Sequence, residues 1–149
     1  MRVAEFLTDQ KVPFETIYHA PAFSAQKRAK YLHTPGKQVA KCVLLVGPSG
    51  YLLSVLPATR QIDLERLSAQ LGESVRLAED QEIAWVFRDC EWGVVPPFGT
   101  LYGLSTILED SFDRAALLVF EGRLHAESIR LRCSDYETLE RPRRLRFAS

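Results

Sequence analysis

The sequence predicts an α/β domain of the α+β kind, one curved mixed sheet flanked by helices, as a single compact domain over residues 1–149. Three observations predict it. Two β-rich runs, Val39 to Val46 and Tyr51 to Leu56, flank the turn-forming Gly47-Pro48-Ser49-Gly50, which makes part of the sheet antiparallel. Several short amphipathic segments carry their own start and stop residues. Helical and strand patterns mix without a regular strand-helix-strand alternation, and no internal repeat or linker divides them.

Val3, Phe6 and Leu7 have the i, i+3, i+4 spacing of a short first helix, ended by Pro13, and Phe14 to Tyr18 reads as a strand. Ser24 is placed to cap a second helix with Ala25, Ala29 and Leu32 on one face, stopped at Thr34-Pro35-Gly36. After the hairpin, Asp63 caps a helix bearing Leu64, Leu67 and Leu71, with Gly72 just past its end. Ile83, Val86 and Phe87 align on a further helix near Glu79 to Phe87. Asp89 to Gly99 is loop chemistry, and Leu104 to Leu108 resumes as a strand. Ala116 to Glu121 and Leu124 to Leu131 form a second hairpin around Gly122. Ser134 is expected to cap a last helical turn before an arginine-rich tail.

Composition narrows the function classes. Lys+Arg and Asp+Glu are both 19, so any nucleic acid must be held by a local patch rather than by the whole surface. Cys42, Cys90 and Cys133 are too few and too scattered for a disulfide framework. No charged-then-apolar leader opens the sequence, and no apolar run approaches the ~20 residues of a membrane span. A cytoplasmic setting is expected.

Lys41 is the most informative single residue. On a strand it shares a face with Val39, Val43 and Leu45, while Ala40, Cys42, Leu44 and Val46 face the other way. A lysine on a strand apolar on both sides is either paired and lining a cavity, or frayed at the strand's start and snorkelling to water. The second feature is Gly93-Val94-Val95-Pro96-Pro97-Phe98-Gly99. Two prolines fix its backbone and two glycines permit tight turns or close approach of a ligand. The same segment also reads as a rigid connector. His19, His33 and His125 lack the spacing of a helical zinc site, so no metal is expected. Cys90 as a thiolate nucleophile would need a base that sequence does not place. Arg141-Pro142-Arg143-Arg144-Leu145-Arg146 either touches phosphates or is a solvated tail.

In this order the pieces resemble the YbaK/prolyl-tRNA-synthetase-associated domain family, stand-alone aminoacyl-tRNA deacylases, over about Val3 to Leu139. The resemblance rests on Tyr18-His19-Ala20-Pro21, Val39-Ala40-Lys41, Val55-Leu56-Pro57-Ala58 and the Gly93 to Gly99 loop. It implies a compact domain with a barrel-like mixed sheet. It implies hydrolysis of the ester that joins a wrong, small amino acid to the 3′ end of a tRNA, without metal or organic cofactor. Such editing is needed because a synthetase pocket discriminates one methylene by only ~1–3 kcal/mol. The resemblance makes Lys41 and Gly93 the catalytic candidates. It makes His19, His33, Val95, Pro97, Phe98, Gly99 and His125 the candidate substrate contacts. The expected partners are aminoacyl-tRNA at its acceptor end and a synthetase, with neither a membrane nor DNA. Cys42, Pro96 and Leu108-Glu109-Asp110 depart from the family pattern and leave the amino acid open. The alternative is a non-catalytic aminoacyl- or nucleotide-binding adaptor of a synthetase or regulator.

Overall fold

Apolar spacing and caps produce the helices. The computed structural model describes residues 2–149. In α1 (Arg2–Asp9), Val3 and Leu7 are both buried, as their spacing requires. Helix α2 (Ala25–Tyr31) starts where the Ser24 side chain accepts the Lys27 N–H. Helix α3 (Leu64–Leu71) starts where Asp63 accepts the Arg66 N–H, and it ends on Gly72 at φ +72°. Helix α4 (Asp80–Val86) opens with a reciprocal capping box between Glu79 and Glu82.

The strands among the described residues are β1 (Glu15–Tyr18), β2 (Ala40–Gly47), β3 (Gly50–Pro57), β4 (Arg76–Leu77), β5 (Ser105–Glu109), β6 (Leu117–Glu121), β7 (Glu127–Arg132) and β8 (Arg143–Leu145). They form two sheets, not the single sheet expected. One has the order β1-β7-β6 and is antiparallel; the other has the order β4-β2-β3-β5-β8 and is mixed. The β2-β3 pair is the predicted hairpin, in register from Ala40↔Pro57 to Gly47↔Gly50. An isolated parallel bridge, Val39↔Val119, links the sheets, so the structure bends towards a barrel without closing into one.

Strand β2 is covered on both sides, as its apolar run implied. Ala40 and Leu44 join the main core with Leu53, Phe98, Phe120 and Tyr136. Leu45 faces the second cluster with Leu56, Leu67 and Phe147, and Val43 packs against it. Val39 joins Ala25, Ala58 and Val119 beneath α2.

Two expectations at the C-terminal end are corrected. Ser134 lies inside helix α5 (Cys133–Glu140), whose N-cap is Arg132, because β7 runs straight into the helix. The arginine-rich segment is not a solvated tail. Arg143 to Leu145 pair in parallel with Ile107 to Glu109, and Arg144 donates to Glu137 at 2.6 and 3.1 Å. No helix among the described residues is long and apolar enough to cross a membrane.

Candidate active site

Past the Val39↔Val119 bridge, β2 and β6 no longer pair with each other. Lys41 stands two residues beyond the bridge on one strand and Glu121 two residues beyond it on the other. The two positions are level with each other on the two strands, but their side chains have different surroundings: Lys41 lines a pocket with residues of β2, α3, β4 and the 61–62 segment, and Glu121 joins Arg28 and His125.

Lys41 is half-buried, and its Nζ donates to the Arg60 carbonyl at 2.7 Å. With Val43, Gln61, Ile62, Leu64 and Leu77 it lines a pocket of about 260 Å³. Burial lowers its pKa below the ordinary lysine value. The ammonium has three donors and one protein acceptor, which leaves it capacity for a ligand.

The Gly93 to Gly99 loop packs on the other side of β2. Val95 and Phe98 belong to the main core, and Pro97 and Gly99 are buried as well. The Tyr136 hydroxyl donates to the Pro97 carbonyl at 2.7 Å, and the Phe98 ring packs on Tyr136 and Phe6 with centroids 5.0 and 5.4 Å apart. Only Gly93, at φ +86°, reaches solvent, beside the exposed Trp92. Four of the expected contact residues, Val95, Pro97, Phe98 and Gly99, thus brace the loop from inside.

A buried polar network ties the start of this loop to α2, β6 and β7. Arg28 on α2 is 2% exposed. Its Nε donates to Ser128 Oγ at 2.8 Å, and its Nη2 donates to Ala22 O at 3.2 Å and to Glu121 Oε1 at 3.3 Å. Ser128 in turn donates to His19 Nε2 at 2.7 Å, while His19 Nδ1 donates to Ala20 O at 2.7 Å. That assignment follows from the partners: Ala20 O only accepts, so the proton sits on Nδ1. His125 places Nδ1 3.0 Å from Glu121 Oε1 and Nε2 2.7 Å from Trp92 O. Glu121 also receives the Val95 N–H at 3.5 Å. Burial raises the Glu121 pKa, and the neighbouring Arg28 and His125 partly offset that.

Of the three histidines expected at the site, His19 and His125 join this buried network and His33 does not. His33 is exposed, closes α2 at φ +49°, and makes no side-chain hydrogen bond among the described residues. The exposed Phe23 ring stacks on His125 at 4.7 Å. Arg28, Glu121 and Ser128 were missed from the sequence. Arg28 carried a signal: with Ala25, Ala29 and Leu32 it completes an i, i+3, i+4, i+7 stripe, and so shares the buried face of α2. Cys90 hydrogen-bonds with Tyr102 at 3.7 Å, outside this network, and burial pushes its thiol up to about 11.

The family model for the aminoacyl-tRNA editing domain matches residues 19–139. A proline–tRNA ligase from Pseudothermotoga lettingae is 27% identical over 88 residues, covering 58% of this chain and 15% of the ligase. One from Thermosipho africanus is 29% identical over 70 residues, 46% of this chain and 12% of that ligase. The chain thus matches only a small part of the length of these relatives. Among solved structures, a candidate trans-editing enzyme for prolyl-tRNA synthetase superposes with a TM-score of 0.81 at 18% identity, covering 91% of this chain and 87% of that one. A hypothetical protein superposes with a TM-score of 0.90 at 13% identity over the full length of both chains.

Proposed function

The chain belongs to the aminoacyl-tRNA editing domain family, and from that premise we propose that it hydrolyses the ester of tRNA mischarged with a small amino acid. The observation that carries the reading is the half-buried Lys41 ammonium, held by one carbonyl among the described residues and lining a pocket of about 260 Å³. There it binds the 3′-terminal phosphate or ester oxygens and stabilises the oxyanion that forms when the carbonyl is attacked. Water is the nucleophile in this scheme; attack by the neighbouring ribose hydroxyl would only move the acyl group to that oxygen, from which water must still release it. The attack breaks the acyl C–O bond, and the ribose oxygen leaves with a proton.

The loop lies across β2 from the Lys41 pocket, so in this scheme the substrate end reaches round the strand to the exposed Gly93 main chain, which Val95, Pro97, Phe98 and Gly99 keep rigid from behind. A fixed backbone rejects larger amino acids by sterics, the second sieve that editing requires. The exposed rings of Phe23 and Trp92 offer stacking surfaces to the terminal bases. His19 and His125 orient the rim through Ser128 and Glu121. A cytoplasmic setting and a synthetase as neighbour follow from the same reading.

Incubation with a panel of mischarged tRNAs, followed by measurement of ester loss, tests this. Turnover on at least one small-amino-acid ester is expected. One observation favours a second reading, the non-catalytic adaptor: Glu121 and both ring nitrogens of His19 and His125 are already engaged within the protein. Stoichiometric binding of charged tRNA with no ester loss across the panel would support that alternative.

A further inference from the structure

A second polar cavity, of about 290 Å³, lies against the segment that holds Lys41. It is lined by Arg60, Arg66, Glu109, Asp110, Ser111 and Arg146. Arg60 is the residue whose carbonyl receives the Lys41 ammonium, and the next residues, Gln61 and Ile62, line the lysine pocket. The two cavities thus share the 60–62 segment as a wall.

The charges in this second cavity do not cancel. Asp110 faces Arg144 at 3.4 Å and Arg146 at 3.7 Å. Glu109 is buried, and its Oε2 accepts the Phe147 N–H at 3.0 Å. Arg60 is half-buried and Arg66 is exposed. Neither side chain has a hydrogen bond or an ion pair among the described residues, although both line a cavity that contains carboxylates. Guanidinium groups left without protein partners around a polar cavity are suited to a phosphate, which they hold through paired N–H donors. Ser111 adds a hydroxyl donor. The protein has no net charge to attract an RNA as a whole, so a local cluster has to supply the attraction.

We infer that Arg60, Arg66 and Arg146 form a phosphodiester site that holds the backbone of the tRNA acceptor end while Lys41 receives its terminus. This rests on the function proposed above and adds where the RNA runs: from the Lys41 pocket, past Arg60, towards β8 and the start of α3. It also gives the arginine-rich C-terminal segment a role through Arg146, while Arg144 stays internal, tied to Glu137.

The test is the salt dependence of tRNA binding for the wild type, Arg60→Ala/Arg66→Ala, and Arg130→Ala as a control. Arg130 is an arginine on β7 already paired with Glu15. The double variant is expected to flatten the slope of log Kd against log salt by about 1 for each phosphate that the protein no longer neutralises, and the control to leave it unchanged. Equal slopes in all three proteins would overturn the site. Thermal melts of the double variant are expected to match the wild type, since the two side chains make no internal hydrogen bond or ion pair that folding needs. A loss of tRNA binding that tracks a lowered Tm would count against the site. Inorganic phosphate separates the sources. If phosphate alone binds the wild type tightly and the double variant not at all, while tRNA binds both equally, the cavity serves a free anion and the backbone assignment fails. Ester loss is scored separately on the wild type. A protein that binds tRNA through these arginines but never turns over loses the proposed hydrolysis and keeps this site.

Discussion

Glu121 and His125 meet through Oε1 and Nδ1 at 3.0 Å, and that pairing ties the β6-β7 connection to the Gly93 loop and to α2. Glu121→Ala would leave the Arg28 guanidinium buried without its carboxylate, a change that costs about 3–5 kcal/mol. Urea melts of wild type and Glu121→Ala measure it.

The same carboxyl predicts a pH dependence. Burial raises the folded pKa of Glu121 above its unfolded value. Between the two values the folded state holds the extra proton, so this group's contribution to stability falls as pH rises through that window. Glu121→Gln does not titrate. The wild type is expected to lose stability relative to Glu121→Gln as pH climbs from the ordinary carboxylate pKa, in denaturant melts across mildly acidic pH.

Tyr136→Phe removes the hydroxyl that donates to Pro97 O and leaves that carbonyl buried without a partner. A loss of about 1–2 kcal/mol is expected. If the loop backbone selects the amino acid, the variant also accepts larger aminoacyl groups, which the mischarged-tRNA panel reads.

Gly93→Ala is strained by φ +86°, for about 1–2 kcal/mol, rather than by a clash. The added Cβ would meet His125 Nε2 at 3.6 Å, an ordinary van der Waals distance. Ester hydrolysis is expected to fall further than stability does, because the methyl group occupies the exposed edge of the loop.

Cys90 should be chemically quiet. With its thiol pushed up to about 11, about a thousandth is thiolate at pH 8. Alkylation by iodoacetamide is expected to be slow, and Cys90→Ser to keep full ester hydrolysis.

The parts legible in the sequence were those with local causes. Ser24 and Asp63 announced their helices, Gly72 its stop, and Gly47-Pro48-Ser49-Gly50 its hairpin, because caps and turns act on their immediate neighbours. Strand β8 was hidden because Arg143 and Arg144 look like solvated charge, and it takes the edge of the distant β5, with Glu137 on the preceding helix, to make them a strand. Strand β4 was missed because two residues at a sheet edge show no alternation. Lys41 was legible as a lone cation on an apolar strand. Its relation to Glu121 was not, since it depends on one bridge between residues 80 positions apart. The Gly93 loop was legible as a unit, but which of its residues face inward depends on Tyr136 and Phe6.

The central claim is that the Lys41 ammonium serves the ester bond. Lys41 makes one hydrogen bond, to Arg60 O, so Lys41→Ala is expected to fold. The direct measurement is ester loss from the preferred mischarged tRNA by Lys41→Ala, with its melt run in parallel. The account predicts a wild-type-like melt and hydrolysis lowered by about a hundredfold or more. A folded Lys41→Ala protein that hydrolyses the ester at the wild-type rate would contradict it.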